Sequence, residues 1–223
     1  MADVAVGGPL AIDLFGIGGI WIIQSSTNDD ADQDAIALGA NGDEIADQLY
    51  DGKNSISCVY KNVTVGGVMT YPSVGEVLSG YHVDSVAIAL ADNEFPMMTV
   101  TGHTHDSNVH VDTTMNEYVM PDFQIVNGFG VSDKFSGGST SLRQSVSINL
   151  SATHDDQLDG DGQHGAGENH NGQCTVECNY LGTPSTPSRL TTLGFIQQSA
   201  NVGNSNENRN SKTLSFRKGI AQS

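Results

Sequence analysis

A short run of histidines is the segment of this 223-residue chain best suited to chemistry. The sequence GHTHDSNVH, residues 102–110, contains His103, His105 and His110, with Asp106 among them. Side chains at positions i and i+2 of an extended chain point to the same side, so His103 and His105 can approach one ion together. Imidazole nitrogens are common ligands of zinc and related transition metals. The spacing therefore makes these histidines candidate metal ligands.

The run only partly resembles the HxHxDH motif of metallo-hydrolases, because its aspartate comes one place early and no adjacent histidine follows. The alternative is a polar loop whose histidines lie at the surface or form hydrogen bonds across an interface. The chain also lacks a nucleophile elbow, a phosphate-binding loop and a dinucleotide-binding fingerprint. We therefore expect no enzyme, no assigned metal and no cofactor, and a metal-dependent hydrolase is the minor hypothesis.

A second cluster of possible ligands is acidic. Its carboxylates lie in DDQLDGDG and shortly beyond it: Asp155, Asp156, Asp159, Asp161 and Glu168. Clustered carboxylates and glycines suggest a hard cation such as Ca²⁺, with Asp159 and Asp161 as ligands, yet the spacing of a calcium-binding loop is missing. The alternatives are a solvated acidic loop and a surface for a neighbouring subunit. The basic residues expected to meet it across such an inter-subunit contact lie near the end of the chain: Arg209, Lys212, Arg217 and Lys218.

Two alternating segments flank the acidic cluster and would position it. In SVSINL and CTVECNYL every second residue is apolar or cysteine, the pattern of half-buried strands. The polar, Gly-rich stretch between them is too long for an ordinary loop of a compact domain. Residues 145–181 are therefore predicted to form a long β-arm with a polar tip that contacts another subunit.

The rest of the chain predicts an all-β fold, a β-sandwich or barrel subunit with at most one short helix. Residues 1–19 are expected to form an extended N-terminal arm, and residues 20–223 a single β-domain. Further predicted strands and turns follow from alternation and turn residues. The strands are 20–26, 56–60, 81–92 with 95–103 as its hairpin partner, and C-terminal strands within 190–220.

Other segments are predicted to be turns or fit two alternative structures. TNDDADQD, residues 27–34, is expected to be a polar turn, and Asn41-Gly42 is a second turn signal. Residues 43–50 fit either a strand or a short helix. Residues 118–131 fit a strand pair or an irregular crossing, with Pro121 restricting any strand to a sheet edge.

The charge excludes one class of function. Lys and Arg number 9 against 26 Asp and Glu, a formal net charge of −17. A surface of that sign repels phosphates, so sequence-specific DNA binding is not expected, whereas contact with DNA that must not stick is compatible. Aromatic residues make up 6% of the chain, which predicts a thin, mainly aliphatic core.

Three cysteines do not make a disulfide framework. Cys174 and Cys178 lie roughly 13 Å apart along one strand, too far to bond, and are expected to be small buried core residues. Reduced thiols suit assembly in a cytoplasm. The apolar N-terminal stretch PLAIDLFGIGGIWII is interrupted by Asp13 and too short to span a bilayer, so no membrane partner is expected.

Two segments carry a resemblance to virion structural proteins of tailed bacteriophages, above all to tail-tube (major tail) proteins. They are ALGANGDEIADQLYDGKNSISCVYK, and SATHDDQ followed by HGAGENHNGQCTVECNYLG, both similar to the strand-and-arm segments of that family. The resemblance implies a self-assembling subunit in hexameric stacked rings around a DNA channel, with other tail proteins as further partners and the virion as its location. The helix usual in the family is not evident, so a capsid decoration protein or another virion β-sandwich binding module is the alternative. Six copies at −17 would give a ring roughly −100, a field that lets DNA slide as non-sticking cargo.

Overall fold

Antiparallel strands make up most of the regular structure. The computed structural model describes residues 11–38, 44–105, 116–158, 164–203 and 210–223. The strands are β1 (Trp21–Leu38), β2 (Glu44–Asn62), β3 (Val77–Leu78), β4 (Tyr81–Ala91), β5 (Met97–His105), β6 (Ser141–Leu158), β7 (His164–Gly182), β8 (Ile196–Gly203) and β9 (Ser211–Gly219). One helix, α1 (Ser188–Thr192), and one 3₁₀ turn, Asp133–Phe135, complete the elements of the described chain. The predicted all-β class with at most one short helix is confirmed.

All nine strands belong to one sheet. Eight of them follow the order β1-β2-β5-β4-β6-β7-β9-β8, and β3 pairs with β4 outside this path. Every pairing is antiparallel. The order leaves β1 at one edge of the sheet and β8 at the other.

Alternation along the central strands builds the core, as the sequence predicts. On β6, Val146, Ile148 and Leu150 are buried, whereas Ser147 and Asn149 between them are exposed. The buried residues lie opposite buried residues of β7: Val146 faces Cys178, Ile148 faces Val176, and Leu150 faces Cys174. Each of these apolar side chains contributes about 1.5–3 kcal/mol on burial, and the strand pair is fixed in register because a one-residue slip would expose the whole set.

Irregular segments cover the buried face of the sheet and bring aromatic side chains to it. The six largest fully buried side chains are all aromatic: Tyr60, Tyr180, Phe15, Phe123, Phe135 and Phe216. Most buried apolar residues are Val, Ile, Leu or Met, as the sequence predicts, but aromatic residues supply the bulkiest side chains of the core. The few aromatic residues are concentrated inside, and half of these six lie outside the strands, where alternation gives no signal. Trp21 is also buried, and its indole Nε1–H donates to the Thr70 carbonyl at 2.8 Å.

Two hairpins extend beyond their neighbours at the same end of the sheet. In the described chain the pairing of β2 with β5 stops at Lys53 and His105, and the rest of β2 is paired there only with β1. Among the same residues the pairing of β4 with β6 stops at Ser85 and Ser151, and the end of β6 is paired only with β7. We call these projections the first arm (residues 31–38 and 44–52) and the second arm (residues 152–158 and 164–172). The second arm confirms the predicted long hairpin.

The first arm corrects one prediction and decides another. Residues 27–34 were expected to be a polar turn but belong to β1, and residues 44–50 are strand rather than helix. A ladder to β2, with register shifts between Ala31 and Gln33 and between Ala37 and Leu38, pairs this backbone, so the strand does not depend on apolar side chains. Asn41-Gly42 lies outside the described residues.

The C-terminal strands begin later than residue 190. Residues 190–192 belong to α1, and β8 and β9 form a hairpin from Ile196 to Gly219. Residues 118–131 form an irregular crossing with isolated bridges at Tyr118 and Val126, one of the two predicted alternatives. In the described chain no helix is long and apolar enough to cross a bilayer.

Candidate functional site

Three histidines and an aspartate meet where the two arms leave the sheet. β4 begins at Tyr81, so past that point no strand of the described residues lies between β5 and β6. Side chains from the end of β5 and from the second arm fill the space. We call them the histidine cluster: His103, His105, His154 and Asp156. Each pair, 103 with 105 and 154 with 156, has the i, i+2 spacing that places both side chains on one side of a strand.

The cluster is tight. One potential ligand atom from each of the four residues lies within 4.8 Å of the others. The His103 ring centroid lies 5.2 Å from that of His105 and 4.6 Å from that of His154. The Asp156 Oδ1 atom is 2.6 Å from His154 Nε2 and 3.2 Å from His105 Nε2. The Asp156 carboxylate thus joins a histidine of β5 to a histidine of the second arm.

A surrounding layer of polar groups holds these side chains in place. Asp84 Oδ1 lies 2.7 Å from His103 Nδ1, and Asn169 Oδ1 lies 2.9 Å from His154 Nδ1. Lys53 Nζ donates to Asp156 Oδ2 at 3.0 Å. Each of these groups comes from a different strand, β4, β7 and β2 respectively.

A β-bulge places one member of this layer. The β4–β5 register passes from Val83 opposite Gly102 to Ser85 opposite Thr101, which leaves Asp84 as the extra residue. Bulges re-aim side chains and are frequent next to functional sites. Here the bulge turns a carboxylate onto the His103 ring.

Burial sets the electrostatics of the cluster. The His103 side chain is 1% exposed, and burial lowers the pKa of His103 despite the neighbouring Asp84 carboxylate. Burial also opposes the charged form of His154, but its hydrogen bonds with Asp156 and Asn169 prevail and raise its pKa. For Asp156, burial is outweighed by hydrogen bonds from His105, His154 and Lys53, which lower the pKa of its carboxyl well below the usual range. The site therefore favours a carboxylate beside neutral His103.

The structure brings together residues that the sequence placed in separate candidate sites. His103 and His105 from the histidine run meet Asp156 from the acidic cluster. His110, Asp159 and Asp161 lie outside the described residues. Sequence reasoning missed His154, although His154-x-Asp156 repeats the spacing of His103-x-His105 on a predicted arm. It also missed Lys53, because nothing local links β2 to the second arm.

The acidic residues of the second arm find partners within the chain. Asp155 Oδ2 lies 3.6 Å from His170 Nδ1, and Glu168 accepts a hydrogen bond from Asn116 at 3.4 Å. Asp156 is paired with Lys53 rather than with a residue of the C-terminal strand. The contacts predicted between subunits thus remain a prediction, and for Asp156 they would compete with an existing pair.

The basic residues predicted to meet them lie elsewhere on the sheet. The strand β9 carries Lys212, Arg217 and Lys218. Lys218 lies opposite Cys174 of β7, next to the base of the second arm. Among the described residues none of these three forms an ion pair. Arg209 lies outside the described residues. Gly219, the last residue of β9, lies opposite Gln173, next to the base of the second arm.

The edge strand β8 is the second surface suited to a function. Seven of its eight residues are exposed, and within the described residues it is paired on one side only, with β9, with a register shift between Gln197 and Ser199. Ile196 and Val202 are 68% and 62% exposed. Its sequence, IQQSANVG, contains none of the Lys or Pro residues that commonly protect an edge strand from pairing.

The chain matches no protein-family model and no curated protein sequence. The function is therefore inferred from the edge strand β8 and from the histidine cluster. The edge strand can extend a sheet by pairing with another chain. The histidine cluster, with three imidazoles and one carboxylate, has the donor set of a transition-metal site.

Proposed function

We propose that the protein is a structural subunit of a virion, most similar to a tail-tube protein, that assembles with copies of itself into stacked rings around DNA. The observation that carries the proposal is the edge strand β8, which has no Lys or Pro and exposes Ile196 and Val202. An unpaired edge presents a row of free N–H and C=O groups, which a second chain can satisfy. With β1 at the opposite edge, head-to-tail pairing of β8 with β1 of the next copy would repeat and close into a ring.

The charge and the uncovered face of the sheet support a channel for DNA. Ser147, Asn149, Thr175 and Glu177 are exposed on the face opposite the core, beside Arg217, which lies opposite Thr175. The net charge of −17 repels phosphates. DNA passing along this face would meet few groups able to bind its phosphates.

The arms support contacts between rings. Both project from the same end of the sheet, beyond the strands that would form one ring. A second arm reaching an adjacent subunit could place its acidic residues near Lys212, Arg217 and Lys218 of that subunit. Assembly is thus proposed to use strand pairing within a ring and charge complementarity between rings.

Sedimentation velocity and negative-stain electron microscopy of the purified protein test the proposal. We expect rings or tubes from the wild type and small species from Ile196→Lys/Val202→Lys, because charge on an edge strand disfavours pairing. Val65→Lys is the matched control, since Val65 is 79% exposed and lies in the loop after β2, outside both edge strands. A wild type that stays a monomer at high concentration, or a double variant that assembles like the control, would contradict the proposal. A small soluble oligomer with a bound ligand would instead favour the decoration-protein alternative.

A charge-reversal pair tests the contact between rings. Glu168→Lys and Lys218→Glu should each weaken assembly, and the double variant should recover part of it. If the double variant assembles no better than the single variants, the predicted contact does not exist. The edge-strand proposal is independent of that result.

A further inference from the structure

We propose that the histidine cluster binds one transition-metal ion, with Zn²⁺ the best match, and that the ion fastens the second arm to the end of β5. The ligands are His103, His105, His154 and Asp156. The inference rests on the cluster geometry and does not depend on the proposed assembly.

The hydrogen bonds around the cluster select the nitrogens that face the metal. Metal-binding histidines usually donate their other ring N–H to a carboxylate or carbonyl oxygen. His103 and His154 both show this arrangement, because Asp84 Oδ1 and Asn169 Oδ1 lie within hydrogen-bond distance of their Nδ1 atoms. The Nε2 atom of each ring then faces the cluster, and that of His154 contacts Asp156 Oδ1 there at 2.6 Å. The Nε2 atom of His105 also points at Asp156 Oδ1.

One of these nitrogens is buried and has no hydrogen-bond partner in the described chain. His103 is 1% exposed, and its Nε2 atom has no hydrogen-bond partner among the described residues. A buried polar atom in that state is costly, and such atoms often mark an ion or ligand site. A metal ion at the centre of the cluster would give this nitrogen a partner without moving the Asp84–His103 pair.

The distances and charges suit a closed, four-ligand site. Zn–N bonds of about 2.0 Å in a tetrahedron place ligand atoms about 3.3 Å apart, so the present separations of up to 4.8 Å need only a modest contraction. Lys53 opposes a cation, but the carboxylates of Asp84 and Asp156 outnumber it. Four protein ligands leave no open position for water, as in structural rather than catalytic zinc sites. This coordination argues for a clamp between β5 and the arm and against a hydrolase.

The test is metal binding by the chain purified without a histidine tag. After incubation with Zn²⁺ and dialysis, we expect about one equivalent of zinc by plasma mass spectrometry. With Co²⁺, the intense visible bands of tetrahedral coordination should appear and saturate at one equivalent. His103→Gln and His154→Gln should lose this binding. Asp84→Asn, which changes only a positioning residue, should weaken it about 10–100-fold.

The matched control is His170→Gln. His170 lies on the same arm but is 38% exposed and outside the cluster, so this variant should bind metal like the wild type. Sub-stoichiometric zinc in the wild type would overturn the proposal, as would equal losses in His170→Gln and His154→Gln. If the cluster variants fail to fold, the wild-type Co²⁺ spectrum still decides, because weak octahedral bands would exclude the four-ligand site.

Discussion

Replacing Gly102 with alanine should destabilise the protein strongly, because the structure leaves no room for a β-carbon there. The added atom would lie 2.2 Å from the His82 carbonyl oxygen and 2.9 Å from two carbons of the Phe15 ring. Gly102 pairs with Val83 across the β4–β5 ladder, so the clash falls between two central strands. A backbone oxygen cannot rotate away as a side chain can, and β4 or β5 must shift.

The magnitude follows from this geometry. Overpacking a core costs about 1–3 kcal/mol, and a clash with backbone belongs at the upper end. A loss of about 3 kcal/mol corresponds to about 6–12 °C in Tm for a chain of this size. The measurement is urea and thermal unfolding followed by Trp21 fluorescence, with Gly128→Ala as the control because its β-carbon would meet nothing within 4 Å.

A double variant separates the two obstacles. Phe15→Ala removes the ring but leaves the His82 carbonyl, so Gly102→Ala should remain costly in that background, within about 1 kcal/mol of its effect alone. Full rescue by Phe15→Ala would show that the ring was the only obstacle. A Gly102→Ala variant as stable as Gly128→Ala would refute the reasoning about β4–β5 packing altogether.

Three further predictions concern a buried polar group and the buried thiols. Asn62→Ala should lower the free energy of unfolding in urea by about 2 kcal/mol, because it removes the 2.6 Å hydrogen bond from Asn62 Nδ2 to the buried Asn127 Oδ1. The control is Asn149→Ala at an exposed position, which should change that free energy very little. Equal effects of the two substitutions would contradict the prediction. Burial raises the pKa of both Cys174 and Cys178 to about 12. Neither thiol should therefore react with a thiol reagent at neutral pH until the chain unfolds. Rapid labelling of these cysteines in the folded protein would contradict this. The thiols ionise near pH 9 in the unfolded chain and near pH 12 in the folded one, so the folded chain holds more protons between these values. The contribution of the thiols to the free energy of unfolding should therefore be fully present below pH 9 and fall by about 2 kcal/mol per thiol by about pH 10.5. Unfolding measured at a series of pH values checks this.

The fold class could be predicted from sequence because it depends on local alternation. Val146, Ile148 and Leu150 report a half-buried strand whatever they pack against, and Cys174 and Cys178 report its neighbour. Side chains two residues apart on a strand share a face, so this signal needs no tertiary information. The acidic surface and the absence of a disulfide framework are likewise fixed by residue counts.

The length of β1 and the aromatic core could not be predicted in this way. Residues 27–34 look like a turn by composition, yet a long ladder to β2 keeps them extended. Phe15, Phe123 and Phe135 come from irregular segments, whose burial depends on where the chain crosses the sheet. Both outcomes are set by contacts distant in sequence.

By itself, then, the sequence determined the central strands, their buried faces, the charge and the i, i+2 spacing of the histidines on β5. Only the tertiary structure decided that His103 and His105 meet His154 and Asp156. That meeting requires β4 to start at Tyr81, a bulge to turn Asp84 onto His103, and the second arm to continue past the end of β4. Residues some fifty positions apart become neighbours through strand order and register, and neither is encoded in the local pattern of either segment.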